Sequence, residues 1–299
     1  MKNNPTKSGF VAIVGRPNVG KSTLINQLIG KKIAITSDKP QTTRHRITGI
    51  LTEDNYQIVF VDTPGMHKGV DLLNKRIDKI AVSTLKDVDA AIFIVDRAKT
   101  KAEDHIIEYF KNTGIKVYLV INKIDLLESK HKIDEIIISY IGSYDYSGYY
   151  PISALNNENI NYLIKDLTNS LEEGPFYYPE EYETDQSEKT LMAEFIREKI
   201  LEYTEEEVPH AAAVVIERMN YNKKQKTLDV GALIVVERST QKMIILGKDG
   251  TKIKDIGKAA RLDINKRFNI KTHLEIWIKV KKDWRNKESE LIKLGYSDE

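Results

Sequence analysis

Gly15-Arg16-Pro17-Asn18-Val19-Gly20-Lys21-Ser22 is the stretch on which the first half of this chain turns. It follows the apolar run Phe10–Val14 and precedes Thr23–Ile29, so it reads as the sharp turn between a buried strand and a helix, with the spacing GxxxxGK[ST]. Its glycines free the backbone for a tight turn whose N–H groups point inward, and the following helix adds the positive end of its dipole. Such a concavity suits a nucleotide polyphosphate, lined by Gly15, Arg16, Pro17, Asn18, Val19, Gly20, Lys21, Ser22 and Thr23. Lys21 would reach the β- and γ-phosphates, and the Ser22 hydroxyl would ligate Mg2+.

Outward from this loop, short β-branched runs alternate with helical patterns as far as about Leu171. Strands are expected at Phe10–Val14, Tyr56–Val61, Ala90–Val95, Val117–Ile121 and Tyr149–Ile152, with a further candidate at Ile47–Thr52. Helices are expected at Lys21–Ile29, Leu72–Leu85, Glu103–Asn112, Ile133–Tyr140 and Ile160–Leu171. The alternation predicts an α/β fold, a doubly wound and mostly parallel sheet with its ligand at the carboxyl ends of the strands.

Three more motifs sit at or near such ends. Asp62-Thr63-Pro64-Gly65 follows a strand, placing the Asp62 carboxylate one water away from Mg2+ and letting the Gly65 N–H approach the γ-phosphate. Upstream, the polar connector Lys39–His45 holds two threonines. Thr43 is favoured over Thr42 to complete the Mg2+ shell and to sense the γ-phosphate through its N–H, which makes Lys21, Thr43 and Gly65 the expected catalytic groups. Asn122-Lys123-Ile124-Asp125 follows the fourth strand. Guanine offers N1–H and an N2 amino group side by side, and one carboxylate accepts both; this assigns Asp125, with Asn122 on the Hoogsteen edge and the Lys123 stem over the ring. Pro151-Ile152-Ser153-Ala154-Leu155 follows the last strand, where the N–H near Ala154 could donate to guanine O6. Adenine has no matching donor pair.

In order and spacing these motifs resemble the translation-factor-type GTPases. Met66 stands where Ras-like enzymes carry the glutamine that orients the attacking water, and a thioether cannot do so. Intrinsic hydrolysis should therefore be slow, about 10⁻⁴ to 10⁻² per second for unassisted GTPases. Asn18 resembles the position used by K+-activated GTPases to hold that ion, or else caps the loop through its own side chain.

The chain of 299 residues is long enough for two domains, and 41% hydrophobic residues suffice for their cores. A net charge of +2 hides an asymmetry: residues 174–210 hold 3 Lys/Arg against 11 Asp/Glu, and residues 211–299 hold 20 against 12. The basic end suits an anionic partner. Cysteine is absent, which excludes disulfide and thiolate chemistry. No apolar run approaches membrane length and no signal peptide is evident, so a cytoplasmic location is expected.

Gly174-Pro175 and the Tyr/Glu-rich run Phe176–Glu183 break the alternation, giving a domain over 1–172, a linker over 173–189 and a second domain over 190–299. There a helix is expected at Thr190–Tyr203, with Leu191, Phe195, Ile196 and 199–201 as its apolar face. Strands follow at Ala211–Arg218 and Leu228–Val236, then helices at Thr240–Leu246 and Thr251–Phe268 and a strand at His273–Val280. Between the two later helices lies Gly247-Lys248-Asp249-Gly250. Gly-x-x-Gly there is either a plain helical turn or the loop with which KH domains clamp about four nucleotides of single-stranded RNA. Lys252, Lys254, Lys258, Arg261, Lys266 and Arg267 make the next helix basic, and Lys279–Arg285 adds charge. The helix–strand order resembles the bacterial, type II KH fold, a smaller α+β unit, although Asp249 stands where KH loops more often carry glycine or a base.

Together, Gly15–Ser22, Gln41-Thr42-Thr43-Arg44, Asp62–Lys68, Asn122–Asp125, Gly247–Gly250 and Asp283-Trp284-Arg285-Asn286 resemble the Era family of TrmE-Era-EngA-type bacterial GTPases over nearly the whole length. The resemblance implies a GTP/GDP switch that binds the 3′ end of small-subunit ribosomal RNA and assists 30S assembly. It also implies Mg2+ as cofactor, K+ near Asn18 and peripheral membrane association; a monomer is expected. An RNA-binding scaffold with little turnover and a membrane-peripheral regulatory GTPase are the alternatives.

Overall fold

The structure, a computed structural model, describes residues 6–39, 42–63 and 71–296, and of 78–83 the backbone alone. Its internal contacts divide the chain into two units: 6–34, 43–63 and 78–185 form the first, and 35–39, 42, 71–77 and 186–296 the second.

In the first unit β1 (Lys7–Val14), β2 (Ile47–Glu53), β3 (Tyr56–Asp62), β4 (Ala90–Val95), β5 (Lys116–Ile121) and β6 (Gly148–Pro151) make one sheet in the order β2-β3-β1-β4-β5-β6. Only β2 runs antiparallel, with Ile47 opposite Asp62. Two residues, Asp54 and Asn55, join it to β3, and so short a connection permits only a hairpin. The helices are α1 (Lys21–Ile29), α2 (Leu72–Thr84, whose first half falls in the second unit), α3 (Asp104–Thr113), α4 (Lys130–Tyr140) and α5 (Ile160–Ser170). Successive side chains of a strand point to opposite faces, and here both faces are covered. Val11, Ile13, Ile92 and Ile94 meet Leu24 and Ile25 of α1 and Leu163 and Leu167 of α5. Ala12, Val14, Phe93 and Val95 meet Ile106 and Phe110 of α3 and Ile136 and Tyr140 of α4. The sheet order reverses around β1, and the phosphate loop leaves the carboxyl end of that strand.

The second unit runs α6 (Glu188–Tyr203), α7 (Val208–Ala211), β7 (Ala213–Asn222), β8 (Thr227–Val236), α8 (Ser239–Leu246), α9 (Thr251–Phe268), β9 (Lys271–Val280) and α10 (Glu288–Lys293). The sheet order is β7-β8-β9, a hairpin followed by a parallel partner reached through α8 and α9. Phe195, Ile196 and Ile200 of α6 and Ile256, Ala260 and Ile264 of α9 bury one sheet face, formed by Ile216, Val230, Ala232 and Ile234. Trp284, Leu291, Leu294 and Tyr296 cover Ala213, Leu233 and Val235 on the other.

Burial on α6 takes in Lys199, inside the expected apolar stripe, and extends beyond that stripe to Glu194, Arg197 and Glu198. Their charges are matched inside the unit. Arg197 donates to Glu194 through Nε at 2.9 Å and through a terminal nitrogen at 2.6 Å, Glu198 accepts the Thr36 N–H at 2.9 Å, and Lys199 pairs with Asp263 at 3.1 Å. Among the described residues no helix is long and apolar enough to cross a membrane.

Candidate nucleotide and RNA sites

The parallel pairing of β1 with β3 sets Ile13 opposite Asp62, so the start of the phosphate loop and the end of β3 meet at one edge. There Ser22 Oγ lies 3.1 Å from Thr43 Oγ1 and donates to Asp62 Oδ2 at 3.1 Å, and Thr43 Oγ1 approaches the same oxygen at 3.5 Å. Thr42 is turned elsewhere, its hydroxyl donating to the Lys39 carbonyl at 2.6 Å. Lys21 is buried, with Nζ donating to the Gly15 and Arg16 carbonyls at 3.1 and 2.9 Å. Burial lowers its pKa, against the pull of the Asp62 charge. Burial likewise pushes the Asp62 carboxyl up to about 6, opposed by Lys21, Ser22 and Thr43. Asp62 Oδ1 is buried with no hydrogen-bond partner among the described residues. Two hydroxyls and a carboxylate with a spare oxygen are hard donors of the kind Mg2+ takes, so the residues present fit that ion. Thr63 donates to the Ile13 carbonyl through Oγ1 at 2.9 Å; Pro64, Gly65 and Met66 lie outside the described residues.

Asn122 follows β5, and its amide is engaged at both ends. Nδ2 donates to the Val19 carbonyl at 2.8 Å and Oδ1 accepts the Ala154 N–H at 2.9 Å. The side chain expected on the guanine edge therefore ties the phosphate loop to the Ser153-Ala154 loop, and the Ala154 N–H has a protein acceptor. Ser153 is fully buried, its Oγ accepting the Asn156 N–H at 3.2 Å. Lys123, in a left-handed conformation, donates to the Asn18 carbonyl and to Asp96 at 3.0 Å. Asp125 is exposed in a single 3-10 turn, Ile124–Leu126.

Two supports of this site escape a reading by motif. Asp96 stands just past β4 and holds Lys123, at a strand end like the other motifs. Glu103 is buried and pairs with Arg16 of the phosphate loop at 3.2 Å, while Thr100 closes a capping box with it. Burial alone would raise the Glu103 carboxyl; hydrogen bonds from Thr100 and the Arg16 guanidinium outweigh it and hold that carboxyl below the ordinary range.

In the second unit Gly247, Lys248, Asp249 and Gly250 form a tight turn between α8 and α9. A Cβ on Gly247 would lie 2.6 Å from Cβ of Lys252, and its φ of +72° disfavours any side chain. Asp249 is left-handed at φ +53°, a conformation aspartate tolerates better than most residues, which accounts for an acid in this loop. Lys254, Lys258 and Arg261 are exposed along one side of α9, and Lys252 is half-buried at its start. The C-terminal tract is partly structural: Lys281 pairs with Glu290, Arg285 with Glu237 at 2.7 Å and Asp71 at 3.2 Å, and Trp284 is buried, donating to the Ala211 carbonyl at 3.0 Å.

Comparison with known proteins agrees with both halves. Residues 10–123 match the family of 50S ribosome-binding GTPases, and residues 207–285 match the KH domain. The GTPase Era of Clostridioides difficile (strain 630) is 47% identical over 294 residues, 98% of this chain and 99% of that one. A crystal structure of a point variant of Aquifex aeolicus Era bound to GDP·AlF4⁻ is 36% identical, covers 98% of this chain and 100% of that one, and has a TM-score of 0.94. A crystal structure of Era with MgGDPNP and nucleotides 1506–1542 of 16S ribosomal RNA matches with the same identity, coverage and TM-score. Motif order, sheet topology and likeness over nearly the full length thus converge, and the chain belongs to the Era family of GTPases.

Proposed function

We propose that this protein is a GTP-hydrolysing switch that binds the 3′ end region of small-subunit ribosomal RNA and assists 30S maturation. The observation that carries the reading is the convergence of Ser22, Thr43 and Asp62 at the mouth of a phosphate loop, in a chain whose other unit presents the Gly247–Gly250 turn beside exposed lysines. Mg2+, when bound, neutralises charge on the phosphates. Ser22, Thr43 and, through water, Asp62 would hold that ion, Lys21 would hold the phosphate oxygens, and the Thr43 and Gly65 N–H groups would sense the γ-phosphate. Asp125 selects guanine, while Asn122, Ser153 and Ala154 shape the loop that holds the base. Lys248, Lys252, Lys254, Lys258 and Arg261 take RNA phosphates around the loop. Met66 leaves the attacking water without a glutamine, so turnover is slow in the absence of a partner or of K+ held at Asn18. The protein acts as a cytoplasmic monomer.

Titration of labelled 16S 3′-end RNA into the protein with Mg2+ and a non-hydrolysable GTP analogue, with GDP, or with no nucleotide tests this reading. Tighter binding with the GTP analogue is expected. Equal affinity in all three states would remove the switch and leave an RNA-binding scaffold.

A further inference from the structure

We propose that the tip of the β7–β8 hairpin, Lys223, Lys224 and Lys226 together with Lys271 of β9, is a second RNA contact, gripping the sugar–phosphate backbone outside the stretch clamped by the Gly247–Gly250 turn. The proposal rests on the reading of this unit as RNA-binding. Topology assembles the cluster. Parallel pairing of β8 with β9 begins with Thr227 opposite Lys271, which sets the hairpin tip beside the turn that leaves α9. Residues 220–228 and 264–273 bring Lys223, Lys224, Lys226, Lys266, Arg267 and Lys271 to that end, and neither stretch contains a carboxylate.

Charge and exposure point to an anion that binds along a surface. Lys223, Lys224, Lys226, Lys266 and Lys271 are exposed and form no ion pair among the described residues, whereas Lys281 and Arg285 of the same unit are paired. The tip is also a formed turn: Asn222 Oδ1 accepts the N–H groups of Lys224 and Gln225, each at 3.2 Å, and Lys226 is left-handed at φ +51°. Its lysines are thus displayed by a fixed backbone. Tyr221, 54% exposed beside them, offers a ring on which a base can stack.

The geometry separates this cluster from the clamp. The Gly247–Gly250 turn precedes the 18 residues of α9 and the cluster follows them, about 27 Å away along a helix of that length. Lys254, Lys258 and Arg261 line the exposed side between the two ends. A KH turn holds about four nucleotides, whereas the related Era structure carries RNA from nucleotide 1506 to 1542. Most of such an RNA lies beyond the turn and needs other cations to meet its phosphates.

The test compares wild type with the triple variant Lys223→Gln/Lys224→Gln/Lys226→Gln, whose side chains are exposed. Each is titrated across a salt series with two probes, RNA of nucleotides 1506–1542 and a single strand of about ten nucleotides from its 3′ end, long enough to fill a clamp of about four. The variant is expected to bind the long RNA about tenfold more weakly, with a salt slope shallower by about 2 to 3, and the short strand unchanged. Adding Lys271→Gln should lower the slope by about 1 more. An unchanged slope on the long RNA overturns the proposal, and so does an equal loss on both probes, which would place the tip within the clamp. If wild type binds neither RNA, the RNA-binding reading itself fails, and this inference with it. Sedimentation with phosphatidylglycerol vesicles by wild type and not by the variant, with RNA affinity untouched, would assign the tip to a membrane surface and overturn it too.

Discussion

Gly20 and Asn122 leave no room between them: a Cβ on Gly20 would lie 2.2 Å from Nδ2 of Asn122. That amide laces the phosphate loop to the base loop through Val19 and Ala154. Gly20 also sits at φ +100°, a region closed to residues with a side chain. Gly20→Ala must therefore displace Asn122 and open both loops, and GDP affinity measured with a fluorescent analogue is expected to fall at least about 100-fold. Asn122→Ala leaves a buried carbonyl and a buried N–H unpaired, at a cost of about 2–4 kcal/mol in the same titration. Affinity close to wild type in either variant would mean that the two loops are held by other contacts.

Thr43, and not its neighbour, shares an oxygen of Asp62 with Ser22. Thr43→Ala should abolish the gain in GTP-analogue affinity that Mg2+ confers, a loss of about tenfold or more, since a hydroxyl ligand is removed. Thr42→Ala removes only a hydroxyl bonded to the Lys39 carbonyl and should shift that affinity less than about twofold. Isothermal titration with and without EDTA separates the two; equal losses would show that the threonines exchange roles when nucleotide binds.

Much of this architecture is legible in the sequence because a sheet buried on both faces demands unbroken apolar runs, and Ala90–Val95 is one, every residue buried. The phosphate loop and the Gly247–Gly250 turn are legible for a related reason: each needs glycine at fixed spacing, at Gly15 because a Cβ would lie 2.4 Å from the Ile94 carbonyl oxygen and at Gly20, Gly247 and Gly250 because φ is positive. What escapes is long-range charge pairing. Glu194, Arg197 and Glu198 look like a solvated helix face, yet they are buried, and the Thr36 N–H that Glu198 accepts is 162 residues away. The Arg16–Glu103 pair is half visible: Thr100-Lys101-Ala102-Glu103 has the spacing of a capping box, but nothing local announces Arg16 as its partner. Asn122 illustrates a different limit. A motif names the residue, but only the fold reveals that its amide serves the scaffold.

The Arg16–Glu103 pair should steady the phosphate loop without touching a reacting atom. Arg16→Ala and Glu103→Gln are each expected to weaken GTP and GDP about equally, several-fold, while the hydrolysis rate at saturating GTP stays near wild type. A double-mutant cycle on GDP affinity should give a coupling of about 0.5–1.5 kcal/mol. Thr100→Ala, which removes the helix cap and leaves the pair, serves as control and should not lower nucleotide affinity. Additive effects of the two changes would show that the pair is incidental.

Asp125 lies exposed where a base can reach it, at the turn that follows Lys123. Asp125→Asn exchanges a double acceptor for an amide, which suits the extra carbonyl of xanthine better than the amino group of guanine. Preference should move from guanosine toward xanthosine nucleotides by about 10² or more, since a site built on such hydrogen bonds rejects the wrong partner strongly. Competition between GDP and XDP reads it directly. A variant that still prefers GDP would take Asp125 out of base recognition.

Trp284 carries a stability prediction for the second unit. It is fully buried, stacks on Tyr296 with ring centroids 6.1 Å apart, and donates Nε1–H to the Ala211 carbonyl. Together with Leu291 and Leu294 it covers the sheet face opposite α6 and α9. Trp284→Ala opens a large cavity and should cost about 3–5 kcal/mol in urea denaturation followed by circular dichroism. Trp284→Phe keeps a ring in the site but leaves the Ala211 carbonyl unpaired, and the expected cost is smaller, about 1–3 kcal/mol. The ordering of the two variants is the informative outcome. A phenylalanine variant as unstable as the alanine variant would show that the hydrogen bond to Ala211, more than the filled volume, holds the C-terminal segment on the sheet.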